Sequence, residues 1–329
     1  HDHVPRHVPP RPPMMRRDGV RLWTALWIVY LAWGSTYVAI KIAVRTLPPL
    51  LTAGTRFLAA AAILAGIVLV ARRSLRVERR QALHAAAVGV ALLAFGVGLV
   101  HVAETRSDSG VAAMIAGSVP LQIVVGRLAA GERVPRQTVL AAVVGLVGLA
   151  IVVGPESFSG GATAVGLLVM LTASISWSSG SFASRWLRLP RDPLVATVYE
   201  MLGGGIVLTV AAVATGELAD LDADAFAPGP IAAWAYLAIV GSVLGFTAYV
   251  WLLDNAPISQ VVTHQYVNPL VAVALGALLL DERPRPATLL GAALIVGAVV
   301  VTARREGRGE VRPRSSSAAR RETRADPTG

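Results

Sequence analysis

Between Leu22 and Ile40 the chain carries no charged side chain, and stretches of this kind recur along most of its length. An apolar run of about 18 residues or more, wound as a helix, crosses a hydrocarbon core about 30 Å thick. In lipid the backbone must satisfy its own hydrogen bonds, which leaves helices and closed barrels. Barrel strands alternate apolar and polar residues, whereas these runs are apolar all round. Bounded by Pro, Gly and charge, they give ten expected helices: 22–42, 49–71, 83–103, 109–129, 136–154, 163–187, 193–214, 230–253, 257–280 and 286–303. Only 15% of residues are charged, against about a quarter in soluble domains, too few to cover a watery surface. The fold class read from this is all-α integral membrane, with the lipid bilayer as surroundings.

An even number of spans puts both termini on one side, and arginine says which. Five arginines lie between Arg6 and Arg21, five between Arg72 and Arg80, and eight between Arg304 and Arg324. Arg133, Arg136, Arg188 and Arg191 fall on the same side, while the other side holds Arg45, Arg106, Arg283 and Arg285. Basic residues concentrate on the cytoplasmic side, so both termini are expected there, in a multi-pass cell (cytoplasmic) membrane protein. The net charge of +10 is thereby explained by span flanks, and no nucleic-acid partner is expected.

The proline-rich segment 1–21 reads as a disordered cytoplasmic N-terminus, with Met14 or Met15 as alternative starts and the first span as an uncleaved anchor. The basic tail 304–329 reads as disordered and apt to touch anionic headgroups. Asp220, Asp222 and Asp224 imitate the start of a calcium loop but lack its Gly and closing Glu, so a solvated loop is expected. The chain has no cysteine, which excludes disulfides and thiolate sites. His101 and His264 lack partners four residues on; each is expected to be bonded between helices rather than to hold a metal.

The chain also repeats itself. Trp33 in WGSTY and Trp177 in WSSGSF are 144 residues apart. At the same spacing Lys41 answers Arg185, Pro49 answers Pro193, and Arg56 answers Glu200. SVPL at Ser118 to Leu121 then answers VNPL at Val267 to Leu270, and GERVP from Gly131 answers DERPRP from Asp281. The expected repeats, 22–155 and 163–303, hold five spans each, and an odd count turns the second upside down. Two inverted five-helix repeats are transporter architecture, with a site between halves that exchange outward and inward openings.

WGSTYVAIK, the pair Arg56–Phe57, the Ser-Val-Pro and Asn-Pro helices, and the GER and DER after them resemble the drug/metabolite transporter superfamily, specifically its ten-helix EamA-type exporters. The likeness covers about residues 22 to 303 and rests on the order of these motifs in duplicate. It implies a compact bundle around a central cavity and export of small metabolites, such as amino acids, or of toxic compounds. Two departures stand out. The first repeat is one residue shorter between Pro120 and GER, and Glu200 stands where the first repeat has a base.

Trp33, Tyr37 and Lys41 fall four residues apart on one helical stripe, with Gly34 and Ser35 beside them for close helix approach. With Trp177, they are expected to line the pathway or pack beside it. Lys41 either faces that pathway or snorkels to the outer surface. Arg56 and Glu200 lie about 10 Å inside their helices at 1.5 Å per residue. Arg56 either snorkels or, with Lys41, meets an anionic group of the substrate. Glu200 is too short to snorkel, so it is expected to pair with Arg185 or carry a coupling proton. Pro120 and Pro269 are expected to break the fourth and ninth helices, freeing the carbonyls of Ala116 and Gln265. Around Pro269, Thr263, His264, Gln265, Tyr266 and Asn268 crowd hydrogen-bonding capacity into about a turn and a half, with Gln122 as the thinner counterpart. Glu132 and Glu282 are expected to form loop salt bridges beside Arg133 and Arg283.

The chain has no GxxxxGK[ST] phosphate loop and no acid, histidine or metal-site cluster at one face. The leading reading is a secondary transporter for a small-molecule substrate, not an enzyme, with neither cofactor nor metal. The alternatives are an integral membrane enzyme and a non-transporting protein on the same fold. Substrate identity, proton coupling and homodimer formation are left open.

Overall fold

The computed structural model describes residues 16–153, 161–219, 221, 226–256, 258–261 and 263–310. Among these there are helices and turns but no strand, as long apolar runs require. The spans are Arg16–Ala43, Pro49–Val70, Arg79–Glu104, Ser109–Ala129, Arg136–Val153, Gly161–Ser184, Pro193–Ala214 and Pro228–Asn255, then 258–279 and Pro286–Glu310. Seven are long and apolar enough to cross a membrane alone; Arg136–Val152, Val267–Leu279 and Pro286–Val301 are shorter apolar stretches. The first and last helices run beyond the apolar limits at 22 and 303, because arginine is a good helix former and continues a helix begun in lipid. The rest of both terminal segments, and Asp220, Asp222 and Asp224, lie outside the described residues.

Four spans are irregular. The third is π-helical over Val90–Gly98 and the eighth over Leu237–Leu244, equivalent places in the two repeats. The fourth is interrupted at Gly117–Ser118, and Pro120 sits in the first turn of the resumed helix, where its missing N–H costs nothing. Pro269 does not break its helix. It lies inside His264–Leu279, and the ninth span is interrupted earlier, around Thr263. Proline removes only one helical bond there, so the helix carries through.

Backbone geometry repeats with the sequence. Arg72 and Gly216 both have positive φ, at the spacing that separates Trp33 from Trp177. Gly131 and Asp281, the first residues of GER and DER, do so too. Packing shows the same symmetry. The second span lies along the seventh and the fifth along the tenth. At the latter crossing a Cβ on Gly148 would stand 2.7 Å from the Gly291 carbonyl oxygen, and one on Gly291 2.5 Å from that of Gly148. The first span packs mainly on the eighth and ninth, and the sixth on the third and fourth. Each repeat therefore lends its first helix to the other.

Four buried clusters fill the crossings. One joins Phe57 and Leu64 to Leu93, Met201 and Leu208; another joins Leu121 and Val124 to Ile295 and Val299. The other two are built around Ile40 and around Leu26. Large apolar side chains also point outward, Val70 and Leu278 among them, as a lipid-facing surface demands. Below, the terminal face is the one where the described chain begins and ends, and the far face is its opposite.

Candidate functional site

The exchanged first helices bring Trp33 and Trp177 to the middle of the bundle. A turn bonded from i to i+5 is wider than an α-turn and shifts its carbonyls. Trp33 uses this: its Nε1–H donates to the carbonyl of Gly241, inside the eighth span's π-helical segment, at 3.1 Å. Trp177 lies on the other such segment, where a Cβ on Gly96 would stand 3.0 Å from its ring. Around Trp33 stand Phe246 at 5.2 Å, Tyr249 at 5.0 Å and His264 at 5.2 Å between ring centroids. Gly34 admits the ninth helix beside this wall, since a Cβ there would meet that of Val271 at 2.6 Å.

Two connected hollows share Trp33, Trp177, Phe246, His264 and Gln265. The inner one, about 130 Å³, also takes in Tyr37, Arg56, Phe57, Ser174 and Asn268. The wider one, about 570 Å³, takes in Pro120, Glu200 and Tyr249 and reaches the loop residues Leu189 and Pro190 at the terminal face. His264 is buried and donates Nδ1–H to the Val261 carbonyl at 2.7 Å, which leaves Nε2 as an acceptor. Arg56 is only 4% exposed, lies 4.5 Å from the Phe57 ring, and its Nε and Nη1 have no hydrogen-bond partner. It does not snorkel. Asn268 Oδ1 is likewise buried and unpartnered.

Several expected site residues serve elsewhere. Lys41 neither lines the hollow nor snorkels; its Nζ donates to the carbonyls of Glu104 and Ser107, both at 2.7 Å. Carbonyls at a helix C-terminus lack helical donors, and an ammonium satisfies them. Gln122 donates to Ser118 and Ser174 hydroxyls and accepts from Ser178 at 2.9 Å, tying the fourth span to the sixth rather than facing the hollow. Pro269 is buried in its helix, and the Tyr266 side chain is outside the described residues.

Glu200 does not pair with Arg185. The guanidinium of Arg185 bonds Glu132 and lies 3.7 Å from the Phe182 ring and 4.2 Å from that of Trp186. These partners hold it at the terminal face, while Glu200 looks into the wide hollow. Glu132 also accepts from Arg127 at 2.9 Å. The expected loop salt bridge is therefore made with Arg127 and Arg185, not with the adjacent Arg133. Hydrogen bonds from Arg185 and Arg127 hold the Glu132 carboxyl below the usual carboxylate range. A depressed carboxyl keeps its contribution above its unfolded value and loses it as pH falls through its folded value. The link is therefore expected to persist through neutral pH and fail only below the ordinary carboxylate range; a carbon-13 titration of Glu132 checks this.

Glu282 has a different role from its repeat partner, and Arg283 is not involved. It accepts from the Ser109 N–H at 2.8 Å, the Ser109 hydroxyl at 2.9 Å and the Gly110 N–H at 3.2 Å, capping the fourth span at the far face. Burial and the neighbouring Glu282 push the Asp108 carboxyl up, against Lys41 and Arg285.

Sequence reasoning missed Glu104. It stands in ETRSDS, which reads as a turn, yet it ends the third helix, is 0% exposed, and neither carboxylate oxygen has a hydrogen-bond partner. The signal was the need of Lys41 for a partner at its own depth. Phe246 and Tyr249, the ring partners of Trp33, were also overlooked, because single aromatics in an apolar run carry no mark.

The EamA-like transporter family profile matches the chain twice, at residues 22–154 and 164–304. "Uncharacterized inner membrane transporter YedA" of Escherichia coli (strain K12) is 36% identical over 289 residues, covering 88% of this chain and 92% of that protein. "Probable amino-acid metabolite efflux pump" of the same organism is 26% identical over 295 residues, covering 86% and 93%. A solved crystal structure at 21% identity shares the fold over 87% of this chain and 97% of its own, with a TM-score of 0.58.

Proposed function

The chain belongs to the EamA-like transporter family, and from that premise we propose that it exports a small metabolite of the amino-acid kind by alternating access through the central hollow. The observation that carries this reading is Arg56: a buried guanidinium with two unbonded nitrogens, facing a cavity between two tryptophans. A substrate carboxylate would take those donors. Asn268 would meet a second polar group, and Trp33 with Trp177 would hold an apolar side group. Both termini are assigned to the cytoplasm by the arginine asymmetry, so the hollow is read as open inward. The name of the amino-acid efflux relative supports the substrate class.

Counterflow in proteoliposomes, with labelled amino acids beside cationic dyes and no imposed proton gradient, tests the reading. Saturable exchange of an amino acid is expected. Exchange of dyes alone would favour a second reading, cationic-compound efflux, for which the carboxylate of Glu200 in the aromatic-walled wide hollow is the specific observation. Exchange of neither by folded protein would refute both substrate classes.

A further inference from the structure

We propose that Glu104 is a proton-binding site that latches the far end of the pathway, with Lys41 as the moving part. This rests on the alternating-access reading above. At that end Lys41 is bonded to two main-chain carbonyls, one of them that of Glu104 itself, while the Glu104 carboxyl beside it bonds to nothing. A carboxylate is a stronger acceptor for an ammonium than a carbonyl is. An ionised Glu104 would therefore compete for Lys41, and the observed choice of carbonyls marks a carboxyl that carries a proton. Its position agrees: a helix C-terminus disfavours an anion, and a buried carboxylate without a hydrogen bond is costly.

The surroundings add charge without supplying a bond. The first span presents Lys41 and Tyr37, the second Arg56, and the link after the ninth Glu282. The fourth begins after Asp108, and the sixth contributes no ionisable side chain. On the same helix His101 donates Nδ1–H to Val97 at 2.9 Å, and its Nε2 is buried and unpartnered. Loss of the proton to water at the far face leaves Glu104 charged. Lys41 then leaves the carbonyls of Glu104 and Ser107 for the carboxylate, the end of the third span is released, and the far end opens. Proton uptake reverses each step.

The full chain lacks cysteine, so one introduced thiol reports alone. Ala43 ends the first helix, is 0% exposed, and should become reachable only when the far end opens. Ala43→Cys protein is labelled with a polar maleimide between roughly pH 6 and pH 8.5, each rate divided by that of exposed Ser74→Cys to remove the thiol's own titration. The corrected rate is expected to rise at least about tenfold with pH. Adding Glu104→Gln should leave it low and flat, adding Lys41→Gln high and flat, and adding Glu200→Gln should keep the rise. A rise surviving in Glu104→Gln, a flat low rate in Lys41→Gln, or no rise in the parent would overturn the latch. Counterflow on the same preparations separates the two ideas: exchange without a pH-dependent rate sinks only the latch, and a rate that obeys Glu104 without exchange sinks only the transport reading.

Discussion

Gly89→Val is expected to abolish recovery of folded protein, while Gly66→Val is recovered normally. A Cβ at Gly89 would stand 1.9 Å from the Glu200 carbonyl oxygen and 2.5 Å from both the carbonyl carbon and the Cα. These are backbone atoms, so no rotamer change relieves the clash. Nearby a Cβ on Gly203 would meet the Ala86 carbonyl oxygen at 2.5 Å, so the third and seventh helices touch backbone to backbone there. Overpacking ordinarily costs about 1–3 kcal/mol, and here two helices that wall the wide hollow must part. Gly66 has nothing within 4 Å of its would-be Cβ. Monodisperse yield by size-exclusion chromatography, read side by side, settles the comparison; equal yields would mean that the crossing is looser than described.

Arg56→Met should separate stability from transport. Replacing a buried charge by an apolar side chain of similar length is often neutral or stabilising, because desolvation no longer has to be offset. No bonded partner is orphaned through Nε or Nη1, since both are free. The thermal midpoint is therefore expected to hold or rise. A charged hydrogen bond to a carboxylate contributes about 2 kcal/mol, so the half-saturation concentration in amino-acid counterflow should rise about 30-fold. A fall in both stability and transport would recast Arg56 as a structural cation.

Much of this architecture is written locally. Whether a run such as Pro193 to Ala214 spans a membrane depends on length and apolarity, and its ends at proline, threonine and glycine are read residue by residue. The duplicated motifs carried the repeats for the same reason. What stayed hidden depends on which atoms meet across the bundle. Arg185 and Glu200 are close in sequence, yet Arg185 went to Glu132 and two ring faces. Lys41 was legible as an odd cation, but its acceptors are main-chain carbonyls 63 and 66 residues away, which no side-chain pattern announces. The π-helical segments have no composition of their own; they match the places where tryptophans of the other repeat are seated. Pro269 shows the reverse error, a strong local signal that the helix absorbs.

The loan of first helices has a consequence for synthesis. Trp33 leaves the ribosome 208 residues ahead of Gly241, the carbonyl it finally bonds. At about 5–20 residues per second that is a wait of roughly ten to forty seconds, spent by the first helix without its seat. The sixth helix does not wait, because the third and fourth precede it. Lys41 can find its carbonyls much sooner, after 63 and 66 residues, which quiets the one charge between Leu22 and Ala43 on a helix that must linger undocked. A nascent chain halted between the repeats would thus hold an anchored but unseated first helix, with the face that later meets the eighth and ninth helices still uncovered.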